Sequence, residues 1–233
     1  GIEDVDRAVE AAEAGFRVWS EVPAPGRAEV LFRAARIMQE RKEGLARLMT
    51  EEMGKVLPET RGDVQEAIDI TIYAAGEGRR MFGETTTSEL RDKFCMTVLR
   101  PVGVVGMITP WNFPIAIPSW KIMPALIAGN AIVFKPASDT PLLTIKLVEI
   151  LMEAGLPPGV INIVPGPGGS TGKAIVQHPR IRAISFTGSL DTGKWIMEEC
   201  AKSMKRVSLE LGGKNPVIVM DDANLELALE GVV

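Results

Sequence analysis

Apolar residues recur at helical spacing from Val5 through Ala8, Ala12, Phe16 and Trp19, and again at Leu31, Ala35, Met38, Leu45 and Leu48 after the Pro23-Ala24-Pro25-Gly26 break. Each set predicts one amphipathic helix. A third is expected from about Val64 through Ile68, Ile72 and Ala75 towards Phe82, ended by Gly83 and the threonines at 85 to 87. After Phe94 the period changes. Residues 95–100 and 102–108 are short β-branched segments split by Pro101, and both are expected as strands. Further strands are expected at 131–134, 161–164, 183–186, 207–209 and 217–220. They alternate with helices over 142–153, from Ser170 and from Asp191, and a capped helix closes the chain from Asp222 to Val233. This alternation, with few polar residues inside the strands, predicts an α/β fold with a parallel sheet covered by helices.

Composition adds limits. Apolar residues make up 46% of the 233 and charged residues 24%, so the chain can bury a sizeable core. Length alone leaves one large domain or two small ones open. A net charge of −4, without a stripe of Lys and Arg, argues against nucleic acid as a partner. No apolar run reaches bilayer length and no charged-then-apolar leader opens the chain, so no membrane partner and a cytoplasmic location are expected. Cys95 and Cys200 lie far apart and His178 is the one histidine, too few for a disulfide framework or a Cys/His metal site. Gly1 stands where an initiator Met would, and both ends read as internal points of a longer polypeptide.

Five clusters of unusual composition follow the predicted strands, at 109–112, 135–138, 166–172, 188–193 and 210–212. That is where ligands bind in an open parallel sheet. Gly166-Pro167-Gly168-Gly169-Ser170-Thr171-Gly172 would admit a ligand to the backbone and turn helix-start amides to a phosphate. Its last interval is one residue too long for G-x-G-x-x-G, and a plain strand-to-helix turn fits as well. Gly188 to Lys194 matches the first seven positions of a P-loop, and Asp221 and Asp222 follow a strand-like run, so an ATPase has to be weighed. Trp195 stands where that motif needs Ser or Thr for magnesium. The Gly188-Ser189 helix start remains an anion site without a metal.

Lys135 is either a solvated strand-end lysine or a donor to ribose hydroxyls or phosphate. Asn112, in Pro110-Trp111-Asn112-Phe113-Pro114, either caps the next helix or holds a fixed carboxamide that can stabilise charge on a carbonyl oxygen. Glu210, in Leu209-Glu210-Leu211-Gly212-Gly213-Lys214, is either an exposed partner of Lys214 or a carboxylate raised by apolar surroundings into the range of a general base.

Together, Pro110-Trp111-Asn112-Phe113-Pro114, Lys135-Pro136-Ala137-Ser138-Asp139-Thr140-Pro141, Phe186-Thr187-Gly188-Ser189 and the motif around Glu210 resemble the aldehyde dehydrogenase superfamily over essentially the whole chain. The resemblance implies a Rossmann-like open parallel sheet with helices on both faces, preceded by N-terminal helices and part of a β oligomerisation hairpin. It divides the chain into a helical part at 1–93, a bridging β segment at 94–103 and a dinucleotide-binding domain at 104–233. It implies oxidation of an aldehyde to a carboxylate by NAD or NADP through a cysteine thioester, in a homo-oligomer. Asn112 would then serve the oxyanion, Glu210 would be the base, and Lys121 would stand near the active site. Thr109, Pro110, Trp111, Lys135, Ser138, Gly166, Gly188, Ser189, Leu211 and Gly212 would bind the cofactor.

Two departures matter. Many members carry Glu where this chain has Ser138, and losing that carboxylate implies that NADP+ is accepted or preferred. The family's nucleophile lies roughly three dozen residues beyond the glutamate of this motif, past Val233. Neither Cys95 nor Cys200 matches it, so the chain alone is expected not to oxidise aldehydes, and an inert nucleotide-binding or assembly fragment is the second reading.

Overall fold

A computed structural model describes residues 1–232; Val233, the last residue of the expected terminal helix, lies outside them. Four helices open the chain: α1 (Ile2–Trp19), α2 (Ala24–Glu40), α3 (Lys42–Met53) and α4 (Leu57–Gly76). The stretch expected as one helix from Leu31 to Leu48 is therefore two. It breaks at Arg41, whose backbone leaves helical geometry at φ −102° and ψ 8°. Leu45 and Met49 of α3 can then turn to the core that Leu31 and Met38 already face. The helix expected towards Phe82 ends earlier, at Gly76, followed by a single 3₁₀ turn over Glu77–Arg79.

Next comes a small antiparallel pair, β1 (Thr85–Thr86) with β2 (Cys95–Met96). Only two residues of the strand expected at 95–100 pair. Val98 and Leu99 are exposed, with neither a ladder partner nor a buried face to hold them extended. The main sheet contains β3 (Val104–Ile108), β4 (Ala131–Lys135), β5 (Ile161–Ile163), β6 (Ala183–Gly188) and β7 (Arg206–Leu211), all parallel, in the order β5-β4-β3-β6-β7. The connections are α5 (Ala116–Ile127), α6 (Pro141–Glu153), α7 (Lys173–Gln177) and α8 (Leu190–Ala201), and α9 (Leu225–Val232) follows the sheet. The helix expected from Asp222 starts at Leu225, where the Asn224 side chain accepts from the amides of Glu226 and Leu227. The strand expected at 217–220 does not form: Val217, Ile218 and Met220 are exposed and meet no strand among the described residues.

Strand periodicity decides which helices lie on which face. Val105, Met107, Ile132 and Phe134 pack with α2 to α6, while Val104, Val133, Ile184 and Phe186 pack with α1, α7 and α8. Gly106 lets α7 close in, since a Cβ there would stand 2.6 Å from Ile175 Cγ2. Two arginines of α2 complete helix ends: Arg27 Nε donates to Ile127 O at 2.9 Å and Arg33 Nε to Ala154 O at 2.7 Å. On β7 the alternation separates half-buried Val207, Leu209 and Leu211 from exposed Arg206, Ser208 and Glu210. The second set looks out over a face that α5 borders through Lys121, Pro124 and Ala125, and that no other helix covers among the described residues.

Candidate active site

The strand order reverses between β3 and β6, and a crevice opens at the carboxyl ends of these strands. Ile108 pairs with Lys135 on one side and Phe186 on the other, while Thr187 pairs with Glu210 and Gly188 with Leu211. Thr109, Lys135, Gly188, Glu210 and Leu211 thus stand along one rim. The Thr109 amide reaches Lys135 O at 3.4 Å. The loops beyond are joined as well: Ser138 Oγ donates to Gly166 O at 3.3 Å, and Thr140 Oγ1 to Trp111 O at 3.5 Å.

On the α7–α8 side lies a cavity of about 530 Å³ lined by Ile108, Lys135, Gly172, Lys173, Phe186 and Trp195, among others. Lys135 is 4% exposed, so it is not a solvated strand-end lysine. Its ammonium donates to Pro136 O at 2.7 Å. Burial holds its pKa below the usual lysine value, against the opposing pull of Asp139. The cavity combines an apolar floor with two cations and one carboxylate, Asp191.

Ser189 caps α8, its Oγ accepting from the Thr192 amide at 3.4 Å, so the helix starts directly after β6. A P-loop needs a wide loop there to wrap a phosphate chain, and none is present. The aspartates expected to follow a strand follow no strand. Trp195, the residue that breaks the motif, walls the cavity instead.

The 166–172 cluster differs from its expected form. Residues Gly168–Gly172 make a π turn, and the amides of Ser170, Thr171 and Gly172 all point back to Pro167 O, at 3.3, 3.0 and 3.4 Å. These amides are spent on the turn and are not turned to a phosphate. Gly166 adopts φ +150°, and a Cβ on it would stand 2.3 Å from Thr171 Oγ1. That hydroxyl is the buried side-chain atom without a partner among the described residues.

Across the sheet a second cavity, about 520 Å³, is lined by Trp120, Lys121, Ser185, Thr187, Ser208 and Glu210, with others. Lys121 Nζ donates to Ser185 Oγ at 3.1 Å. Burial lowers its pKa, and the charge of Glu210 opposes the shift. Glu210 itself is exposed, so the apolar enclosure expected around it is missing from this chain. No ion pair joins it to Lys214 among the described residues; its charged neighbour is Lys121. Lys121 and Glu210 therefore come together on one face, and Lys135 and Gly172 on the other.

Asn112 does not cap the next helix, because α5 begins at Ala116 with Ile115 in the cap position. Its carboxamide is exposed, and its carbonyl accepts from Lys55 Nζ at 2.9 Å. Trp111 is 55% exposed, Pro110 is half-buried, and Gly212 has open space around it. Cys200 is buried in α8, and burial pushes its thiol up, the wrong direction for a nucleophile. Cys95 sits half-buried in β2, in the small antiparallel pair and not in the main sheet. Lys55, Lys173 and Ser185 escaped the sequence reading, since none of them stands in a motif that spacing picks out.

The reversed strand order and the cleft at the switch point define the class, a Rossmann-like α/β protein with a crevice at the strand tips. The model of the Aldehyde dehydrogenase family matches residues 1–233, and the chain belongs to that family. It is 46% identical over 231 residues to the α-ketoglutaric semialdehyde dehydrogenase of Bacillus subtilis, covering 99% of this chain and 47% of that protein. It is 42% identical to the succinate-semialdehyde dehydrogenase [NADP(+)] of Escherichia coli K12, covering 100% of this chain and 48% of that protein. A crystal structure of an NADP-dependent enzyme of E. coli superposes with a TM-score of 0.96 at 43% identity, over 99% of this chain and 48% of that one. The chain spans about half the length of the curated relatives it matches.

Proposed function

We propose that this chain supplies the cofactor site, the oxyanion donor Asn112 and the general base Glu210 of an enzyme that oxidises an aldehyde or semialdehyde to a carboxylic acid with NAD or NADP. One observation carries the reading: the second cavity, holding Lys121 and Glu210, lies across the same strand tips as the cavity holding Lys135. A ligand spanning the rim would have one end beside each. The aldehyde is proposed to carry an acid group, because the names of the similar B. subtilis and E. coli proteins specify semialdehydes of dicarboxylic acids.

The residues present fit a dinucleotide. Lys135 and Lys173 would meet its anionic and ribose groups, and Trp195 and Ile108 its flat ring. Gly188, Ser189 and the first turn of α8 would receive a phosphate, and Thr109, Pro110, Trp111, Leu211 and Gly212 would line the route along the rim. When bound, the nicotinamide accepts hydride. Asn112 would donate its carboxamide N–H to the aldehyde oxygen as charge develops on it. Glu210 would take the proton from the attacking thiol or water, with Lys121 beside it in the same cavity. The nucleophilic thiol is neither Cys95 nor Cys200, so residues 1–233 by themselves would not turn over aldehyde. In the intact protein, residues 1–93 and 104–233 would form the cofactor domain, and the segment 94–103 would join a homo-oligomer.

Calorimetric titration of this chain with NAD+, NADP+ and Mg·ATP tests the cofactor half. NAD(P)+ is expected to bind, and Lys135→Met to weaken it at least about tenfold; binding of Mg·ATP alone would refute the proposal. In the complete polypeptide, Asn112→Ala is expected to lower kcat by about 100-fold. Glu210→Gln should lower it comparably while leaving cofactor affinity intact.

A further inference from the structure

The loop that carries Asn112 is fixed at successive carbonyls. Trp111 O accepts from Thr140, Phe113 O from the Ile117 amide at 3.1 Å, and Pro114 O from Thr144 Oγ1 at 3.2 Å. For Asn112 itself the donor is Lys55. Its ammonium lies 2.9 Å from Asn112 O, 2.6 Å from Asp63 Oδ2 and 3.8 Å above the centre of the Phe113 ring. The side chains of Lys55 and Asp63 are only 15% and 8% exposed.

Chain geometry explains how a residue so far upstream arrives there. Gly54 ends α3 at φ +80°, a left-handed turn that throws Lys55 out of the helix towards the loop. Asp63 stands on α4, which packs against α5, the helix the loop leads into. The same end of α3 sends Glu52 to the first amides of α6, at 2.6 and 3.2 Å. A half-buried lysine needs compensation for leaving water, and here three partners supply it: carboxylate, carbonyl and aromatic face.

We propose that Lys55, held by Asp63, is the positioning residue for Asn112, and the inference rests on the reading of Asn112 as the oxyanion donor. The Asn112 carboxamide has no side-chain partner of its own among the described residues, so this chain restrains it through its main chain alone, the peptide plane that leaves its Cα. Lys55 grips that plane by its carbonyl. A donor aimed before the substrate arrives needs no reorganisation during reaction, which is what makes such a donor effective.

The test uses the complete enzyme. Lys55→Met combined with Asp63→Asn removes the ammonium without stranding a buried carboxylate. It is expected to lower kcat about 10- to 100-fold while KM for NAD(P)+ moves less than about threefold. Lys55→Arg, which keeps charge and donors, should recover most of the rate. In an Asn112→Ala background the double change should cost less than about twofold, because nothing is left to aim. If it does not fold, Asp63→Asn alone, measured with and without Asn112→Ala, gives the same comparison. Retained kcat in the Lys55 and Asp63 variants, with kcat lost in Asn112→Ala, overturns the inference alone. So does an equal loss in both backgrounds, which a merely structural pair would give. Full activity of Asn112→Ala overturns the reading beneath it and the inference with it.

Discussion

Gly15 of α1 and Gly159 of the turn before β5 meet backbone to backbone: a Cβ on Gly15 would stand 2.4 Å from the Gly159 carbonyl carbon and 2.5 Å from the Val160 amide nitrogen. Backbone cannot swing aside as a side-chain end can. Gly15→Ala therefore has to lift α1 from the sheet edge, and is expected to destabilise the chain by about 2–3 kcal/mol. Gly62, in the interior of α4, has nothing within 4 Å of such a Cβ. There the same substitution only removes conformational freedom from the unfolded chain and should stabilise by about 0.5–1 kcal/mol. Urea melts of both variants check the pair, and movement of the two midpoints in the same direction would defeat the packing argument.

The contrast shows what the sequence could and could not disclose. The central strands of the main sheet are legible because burial on both faces demands short apolar runs, and Val104–Ile108 and Ala131–Lys135 carry that demand openly. So are the rim residues, since the end of each such strand is fixed once the strand is. Val217 to Met220 has the same composition but no neighbour to pair with, and composition cannot report a missing partner. The break at Arg41 was hidden because the apolar spacing continues across it. Lys55 was hidden for another reason: its value comes from a contact 57 residues away in sequence, with Asn112 O, which no local spacing encodes.

Cofactor choice is expected to turn on Ser138. The residue is exposed, bonded to Gly166 O, and follows the strand end that carries Lys135. Ser138→Glu would place a carboxylate there and repel a second anionic group on the ribose, weakening NADP+ by about tenfold with little change for NAD+. The discrimination should shrink in high salt. Quenching of tryptophan fluorescence by each cofactor measures it, and equal NADP+ affinity in the two proteins would rule out this role for Ser138.

Lys121 should titrate below the surface lysines, because burial disfavours its charge more than Glu210 restores it. Removing that charge with Glu210→Gln takes away the opposing influence, so the Lys121 pKa should fall further. Dimethylating the lysines with a ¹³C label lets each be followed by NMR across pH. An unmoved or raised Lys121 in Glu210→Gln would mean that the two groups do not share a field.

His178 sets a pH limit on stability remote from the site. It is 8% exposed; its Nδ1 accepts from the Arg180 amide at 3.2 Å and its Nε2 lies 3.2 Å from Asp6 Oδ1 on α1. The neutral ring satisfies both contacts, since one nitrogen accepts while the other donates. Burial, then the charge of Arg180, push its pKa below the ordinary 6.5; Asp6 opposes them and Lys205 adds to them weakly. Arg180 is itself held by Glu13 at 2.7 Å, and Lys205 by the carbonyls of Val176 and His178, so neither cation can swing away. As pH falls below 6.5 the unfolded chain takes up a proton that the folded chain resists. The contribution of His178 is thus present above that pH and is lost as pH drops towards the folded pKa. Unfolding midpoints should fall between about pH 7 and pH 5 in the parent and less in His178→Asn, which cannot titrate in that window. Parallel curves for the two proteins would show that the ring is not what the acid limit depends on.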